Sequence, residues 1–135
     1  MTGYTIAQAS HKTGLSAYTL RYYEDIGLLE PVERAANGHR RYSDDDLGRI
    51  SFLLKLRNTG MSLDDMLQFV QLYREGDESA ELRHAMLSEH RKRVQAQMQS
   101  LQETLDYIDY KLAMYADQQE SCLLKRQAER EQAAQ

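Results

Sequence analysis

The chain has 135 residues, with 17 Lys and Arg against 21 Asp and Glu, one proline, one cysteine and no tryptophan. That balance favours a helical protein of about one-domain size. No apolar run reaches membrane length and the N-terminus carries no signal-peptide core, so a cytoplasmic location is expected. Cys122 stands alone, which excludes a disulfide within one chain. The net charge of −4 does not announce a nucleic-acid binder. Its distribution says more: Arg34, Arg40, Arg41, Arg49, Lys55 and Arg57 crowd one span.

Tyr4-Thr5-Ile6-Ala7-Gln8 opens a first helix, with Thr5 as cap and Gln8 at the capping-box position, running to about Lys12. Thr13-Gly14-Leu15 is a tight turn. Ser16 then caps a second helix, with Leu15 and Leu20 placed as a hydrophobic staple. Leu20, Tyr23 and Ile26 share one face at helical spacing, so Arg21 and Tyr22 face outward near the helix start. Gly27 ends the helix. Two short helices joined by a Gly turn make a helix-turn-helix whose second helix offers Arg and Tyr to a major groove.

Pro31 to Tyr42 predicts a basic β-hairpin turning at Asn37-Gly38, with short strands Val32–Arg34 and His39–Tyr42. It would lie as a wing on a phosphate backbone. Ser43 caps a third helix whose first turn is Asp44-Asp45-Asp46, suited to the helix dipole. Tyr42 and Leu47 staple it, and Leu47, Ile50, Leu53, Leu54 and Leu56 form its apolar stripe. Gly60 breaks it. Ser62 caps a fourth helix with Leu63, Met66, Leu67 and Val70 inward, and Gly76-Asp77 ends that.

Beyond about Ser79 the period changes to seven. Leu87, Val94, Leu101, Ile108 and Tyr115 form one set, and Met98, Leu105 and Leu112 the other, as in a coiled-coil seam. A lone helix cannot bury such a seam, so a second copy is the simplest partner; folding back onto the head is the alternative. The expected division is a DNA-binding head over 1–76, a dimerisation helix over 77–117 and a mixed-charge tail over 118–135.

The sequence resembles the MerR family of bacterial transcription regulators. The resemblance is carried by Tyr4-Thr5-Ile6, Thr19-Leu20-Arg21-Tyr22-Tyr23-Glu24, Gly27-Leu28-Leu29, Gly38-His39-Arg40-Arg41-Tyr42-Ser43, Asp46-Leu47 and Thr59-Gly60-Met61-Ser62-Leu63. Leu87-Ser88-Glu89-His90-Arg91 is similar to the aldehyde- and stress-responsive branch. It implies a mainly α fold: a winged helix-turn-helix head and a long C-terminal helix pairing antiparallel in a homodimer. The implied activity is binding of double-stranded promoter DNA across a spacer too long for RNA polymerase. The dimer bends and undertwists that spacer on an inducing signal, with polymerase an indirect partner.

By the same resemblance Arg21 reaches a base edge or phosphate, Tyr22 the backbone or a thymine methyl, and Thr19 a phosphate. Arg34, His39, Arg40 and Arg41 serve the wing, and Lys55 and Arg57 add backbone contacts. Tyr23 packs in the head, and Glu24 orders Arg21 or a backbone group. The stress-responsive branch carries a cysteine in its third helix where Lys55 stands here. Cys122, with Lys125 and Arg126 close behind, is then the candidate sensing thiol, against a packing role beside Leu123 and Leu124. A third reading is a small organic effector held by Tyr107, Tyr110 and Tyr115 where the helix end meets the opposite head. One cysteine supplies neither the two thiolates of the family's metal sensors nor the four of an iron–sulfur cluster, so no metal or cofactor is expected. No nucleophile motif, paired catalytic carboxylates or phosphate loop points to an enzyme. An excisionase-like architectural protein would use the same head, and the long seam argues against it.

Overall fold

A computed structural model of the protein describes residues 3–134. Met1 and Thr2 of the expected head and Gln135 of the expected tail lie outside them. The helices are α1 (Ile6–Thr13), α2 (Ala17–Asp25), α3 (Asp44–Asn58), α4 (Leu63–Arg74) and α5 (Ala80–Ala133), with a 3-10 turn over Asp77–Ser79 before α5. The residues form two compact units, one ending at His90 and the other starting at Arg91.

Local chemistry sets the helix ends. Thr5 and Gln8 close a full capping box on α1, and Ser43 and Asp46 close another on α3. Ser16 and Ser62 accept from the backbone N–H groups of Thr19 and Asp65. α2 stops in a Schellman motif: Gly27, at φ +85°, donates to Glu24 O, and Leu28 donates to Tyr23 O. That reversal puts Leu28 and Leu29 into the core, where they are 1% and 6% exposed.

α2 buries the expected face, with Leu20 fully enclosed and Tyr23 buried, and Ile26 packs partly against them. From α3 come Ile50, Leu53 and Leu56, with Leu47 and Leu54 packed at the margin. α4 departs from expectation. Leu63 is 39% exposed, because it opens the helix on the turn that faces solvent, while Met66 and Phe69 are buried. Phe69 meets Phe52 of α3 with ring centroids 5.8 Å apart.

The wing is a hairpin without extended strands among the described residues. Its pairing reduces to an antiparallel bridge between Arg34 and Arg40, and Tyr42 instead bridges Tyr4. The latter exchanges both backbone bonds, at 2.7 and 2.8 Å, and so ties the start of the head to the residue that leads into α3. The turn also differs in type. Only Gly38 has positive φ, at +84°; it donates to Ala35 O, and Ala35 donates to His39 O. This is a three-residue hairpin loop with a left-handed glycine, not a two-residue turn with both residues left-handed. Asn37 contributes through its side chain, which accepts from the His39 N–H.

α5 is one helix through Ala133 and takes in the segment expected as a tail. After Gly76 the sequence has no glycine or proline to stop it, and the final stretch is rich in Gln, Glu, Arg and Ala. Met98, Leu101, Leu105, Ile108, Leu112 and Tyr115 of the seam are all exposed, between 48% and 69%. Val94 is half-buried, and Leu87 packs partly against the head core. His90, missed by sequence reasoning, is buried with Nε2 2.7 Å from Thr59 Oγ1. It pins the first turns of α5 to the end of α3.

Leu20→Ala is expected to cost about 2–5 kcal/mol, since it opens a cavity among enclosed side chains. Ser43→Ala is expected to cost about 0.5–2 kcal/mol through the lost cap. Urea unfolding of both variants checks the size and the order of the two losses.

Candidate nucleic-acid interface

Because Leu20 and Tyr23 face the core, Arg21 and Tyr22 come out on the opposite side of α2, both exposed. The Tyr22 ring leans on that of Tyr23, with centroids 6.0 Å apart and planes tilted by 43°. Thr19 is half-buried, and its hydroxyl lies 2.9 Å from that of the capping Ser16. Its reach toward a phosphate is therefore shared with the helix cap.

The wing stands beside this face. Arg34 Nη1 donates to Gly38 O at 2.9 Å and braces the turn from within. Arg40 Nε donates to Glu24 Oε2 at 2.7 Å, with the two side chains only 17% and 11% exposed. The hydrogen bond to Glu24 raises the Arg40 pKa above its ordinary value, against the opposing effect of burial. This corrects the sequence reading of Glu24, which meets the wing at Arg40 rather than ordering Arg21, and it engages the Nε of Arg40 with α2. Arg41 is half-buried, and its Nε is enclosed without a hydrogen-bond partner among the described residues. His39 is exposed beside the turn.

Between wing and α2 lies a cleft of about 370 Å³ bordered by Arg21, Arg34, His39, Arg40 and Arg41, with Thr5 and Ile6 at the start of α1. Of its arginines, Arg40 is the one with a carboxylate partner among the described residues. Several guanidiniums converging on one open cleft suit an anionic polymer, since planar N–H forks match phosphate oxygens. The α1 border went unnoticed in the sequence. The Thr5 capping box was its available signal, because it fixes where the free N–H groups of that helix begin.

The remaining candidates lie apart from the cleft. Lys55 is exposed in the last turn of α3. Arg57 Nη1 donates to the Tyr23 hydroxyl at 2.8 Å, so part of its capacity is spent bracing the head. Tyr42 is buried, and burial is the main cause raising its phenol pKa. The Tyr4 phenol is raised too, chiefly by its 2.8 Å hydrogen bond to Asp44 Oδ1. On α5, Cys122 is exposed, as are Tyr107, Tyr110 and Tyr115. No helix among the described residues is long and apolar enough to cross a membrane.

Comparison with known proteins agrees with this geometry. The sequence profile of MerR HTH family regulatory proteins matches residues 4–71, and the profile described as MerR, DNA binding matches residues 47–111. An uncharacterized HTH-type transcriptional regulator of Haemophilus influenzae is 45% identical over 83% of each chain. The HTH-type transcriptional regulator AdhR of Bacillus subtilis is 40% identical over 66% of this chain and 64% of its own. The crystal structure of HiNmlR, a MerR family regulator lacking the sensor domain and bound to promoter DNA, superposes with a TM-score of 0.78 and 43% identity. That match covers 86% of this chain and 92% of the other. A putative MerR family regulator from Listeria monocytogenes gives 0.77 and 36%, over 84% and 86%. These relatives are transcription regulators and not enzymes. With the first profile covering α1, α2 and the wing that build the cleft, and the second running from α3 into α5, the chain belongs to the MerR family of DNA-binding transcription regulators.

Proposed function

We propose that the protein acts as a homodimer that seats two α2 helices in successive major grooves of a promoter and lays each wing on the flanking backbone. The dimer forms by antiparallel pairing of α5 along Val94, Met98, Leu101, Leu105, Ile108, Leu112 and Tyr115, with Leu87 at the head end. It occupies a spacer too long for RNA polymerase, and an inducing signal turns it to a state that bends and undertwists that spacer. Polymerase is then recruited to corrected register. The observation that carries this reading is the basic cleft between α2 and the wing. The exposed seam on α5 supports the dimer, because water-facing Leu and Ile at heptad spacing gain by covering one another. HiNmlR bound to promoter DNA supports the choice of ligand. Bending such a site costs on the order of 1–6 kcal/mol, which additional phosphate contacts must offset.

Within this reading Arg21, Arg34, His39 and Arg41 touch DNA, with Tyr22, Thr19, Lys55 and Arg57 at the periphery. Arg40 orients the wing through Glu24.

Titration of the protein's own upstream DNA by fluorescence anisotropy tests the reading. Arg21→Ala is expected to weaken binding by about 1–3 kcal/mol and to lower the salt slope by about one if the contact is to a phosphate. Glu24→Gln is expected to weaken binding at every sequence, although no carboxylate meets DNA, because the wing loses its anchor. An unchanged affinity for both variants defeats the assignment of the cleft.

Leu101→Asp is expected to give monomers in light scattering and to abolish tight operator binding. A variant that remains dimeric defeats the seam. Footprinting of the spacer for wild type and Cys122→Ser, each reduced, oxidised and treated with an aldehyde, then reads the signal. Distortion confined to treated wild type assigns Cys122 as the sensor; equal behaviour moves the signal to a non-covalent effector.

A further inference from the structure

A second cavity lies in the head, away from the basic cleft, and has a different chemistry. It has a volume of about 320 Å³ and sits where the exit from α2, α3, α4 and the start of α5 meet. Its floor is apolar: Phe52 and Phe69 in tilted contact, with Val70 beside them. Tyr73 also lines it, with two guanidiniums against its ring, Arg49 Cζ 5.8 Å and Arg83 Cζ 5.5 Å from the centroid. Arg83 is fixed there, since Nε donates to Ser79 Oγ at 3.0 Å and Nη2 to Gly76 O at 3.2 Å. Those acceptors are neutral. Among the described residues neither Arg49 nor Arg83 has a carboxylate at ion-pair distance, and Glu30, which also borders the cavity, is taken by Arg74.

We propose that this cavity binds an amphipathic organic anion, an apolar ring or short chain of small-molecule size that carries one carboxylate. Three features favour that class. The volume falls at the lower end of small-molecule pockets, which run to about 300–1,000 Å³. The lining couples an aromatic floor to two uncompensated positive charges, so the complementary ligand is apolar at one end and anionic at the other. The Arg83 guanidinium is already held, so less side-chain freedom is lost on binding. A cation finds the two guanidiniums repulsive, and a neutral hydrocarbon leaves both charges unanswered. The ligand touches four segments of the head at once, including the first turn of α5, and its binding does not depend on the DNA-binding reading.

Isothermal titration calorimetry of the full chain with 1-naphthoate tests this, with 1-naphthylmethylammonium as the size-matched cation. Saturable naphthoate binding with Kd below about 1 mM is expected, together with at least about tenfold weaker binding of the cation. Arg49→Gln, an exposed substitution that removes none of the head's hydrogen bonds reported above, is expected to weaken naphthoate by about tenfold, the size of one lost charge-assisted bond. Arg83→Gln is expected to do the same, and Phe52→Ala to weaken both ligands. The proposal is overturned if naphthoate shows no saturable binding up to about 10 mM, if the cation binds as tightly, or if Arg49→Gln leaves the naphthoate affinity unchanged.

Discussion

The burial of Leu20 and Tyr23 on the inner face of α2 is the constraint on which the surface chemistry of the head depends. With those two side chains enclosed against α1 and α3, helical geometry leaves Arg21 and Tyr22 no direction but outward. The Schellman turn at Gly27 then returns Leu28 and Leu29 to the same core and limits α2 to nine residues. In the proposed function, a reading helix this short has few side chains to spend on DNA. Much of the positive charge therefore comes from the wing, and the position of the wing relative to α2 becomes decisive.

That position rests on one part-buried ion pair. Arg40 and Glu24 stand sixteen residues apart and join the wing to the helix it serves. Each would be costly to leave alone there, since a part-buried charge without its partner keeps part of its desolvation penalty. The pair thus converts an arginine that looks available for DNA into a fixed angle between two elements. Arg57 is used similarly, bracing the Tyr23 hydroxyl from α3. The charges left for phosphate are fewer than the arginines in the span, and the net charge of −4 comes from acidic residues that do not line the cleft, among them Asp44, Asp45 and Asp46.

What the sequence made legible was local. The caps at Thr5, Ser16, Ser43 and Ser62 hold where the residue pattern placed them, because each depends on contacts within four residues. The outward pair on α2 followed from the same short-range periodicity. What stayed hidden depends on residues distant in the chain. Glu24 finding Arg40, Tyr4 pairing with Tyr42 and His90 meeting Thr59 leave no periodic signature. Leu63 shows a subtler limit. It satisfies the apolar pattern, yet Phe69 takes the buried place because the face of α4 is set by the position of Phe52. The apolar cavity between α3 and α4 was invisible for the same reason, since its lining is made by side chains from opposite ends of the head.

The division of the chain near His90 has a consequence for biogenesis. Every long-range contact described for the head lies among residues that precede Arg91, and the unit is closed by the His90 pin. Domains fold as units during synthesis, N-terminal first, at about 5–20 residues per second. The head therefore emerges from the ribosome complete, with its core sealed, before most of the apolar seam on α5 has left the exit tunnel. The exposed Leu and Ile of the helix thus leave the ribosome after the core of the head has closed, so the order of emergence keeps that core from its own seam.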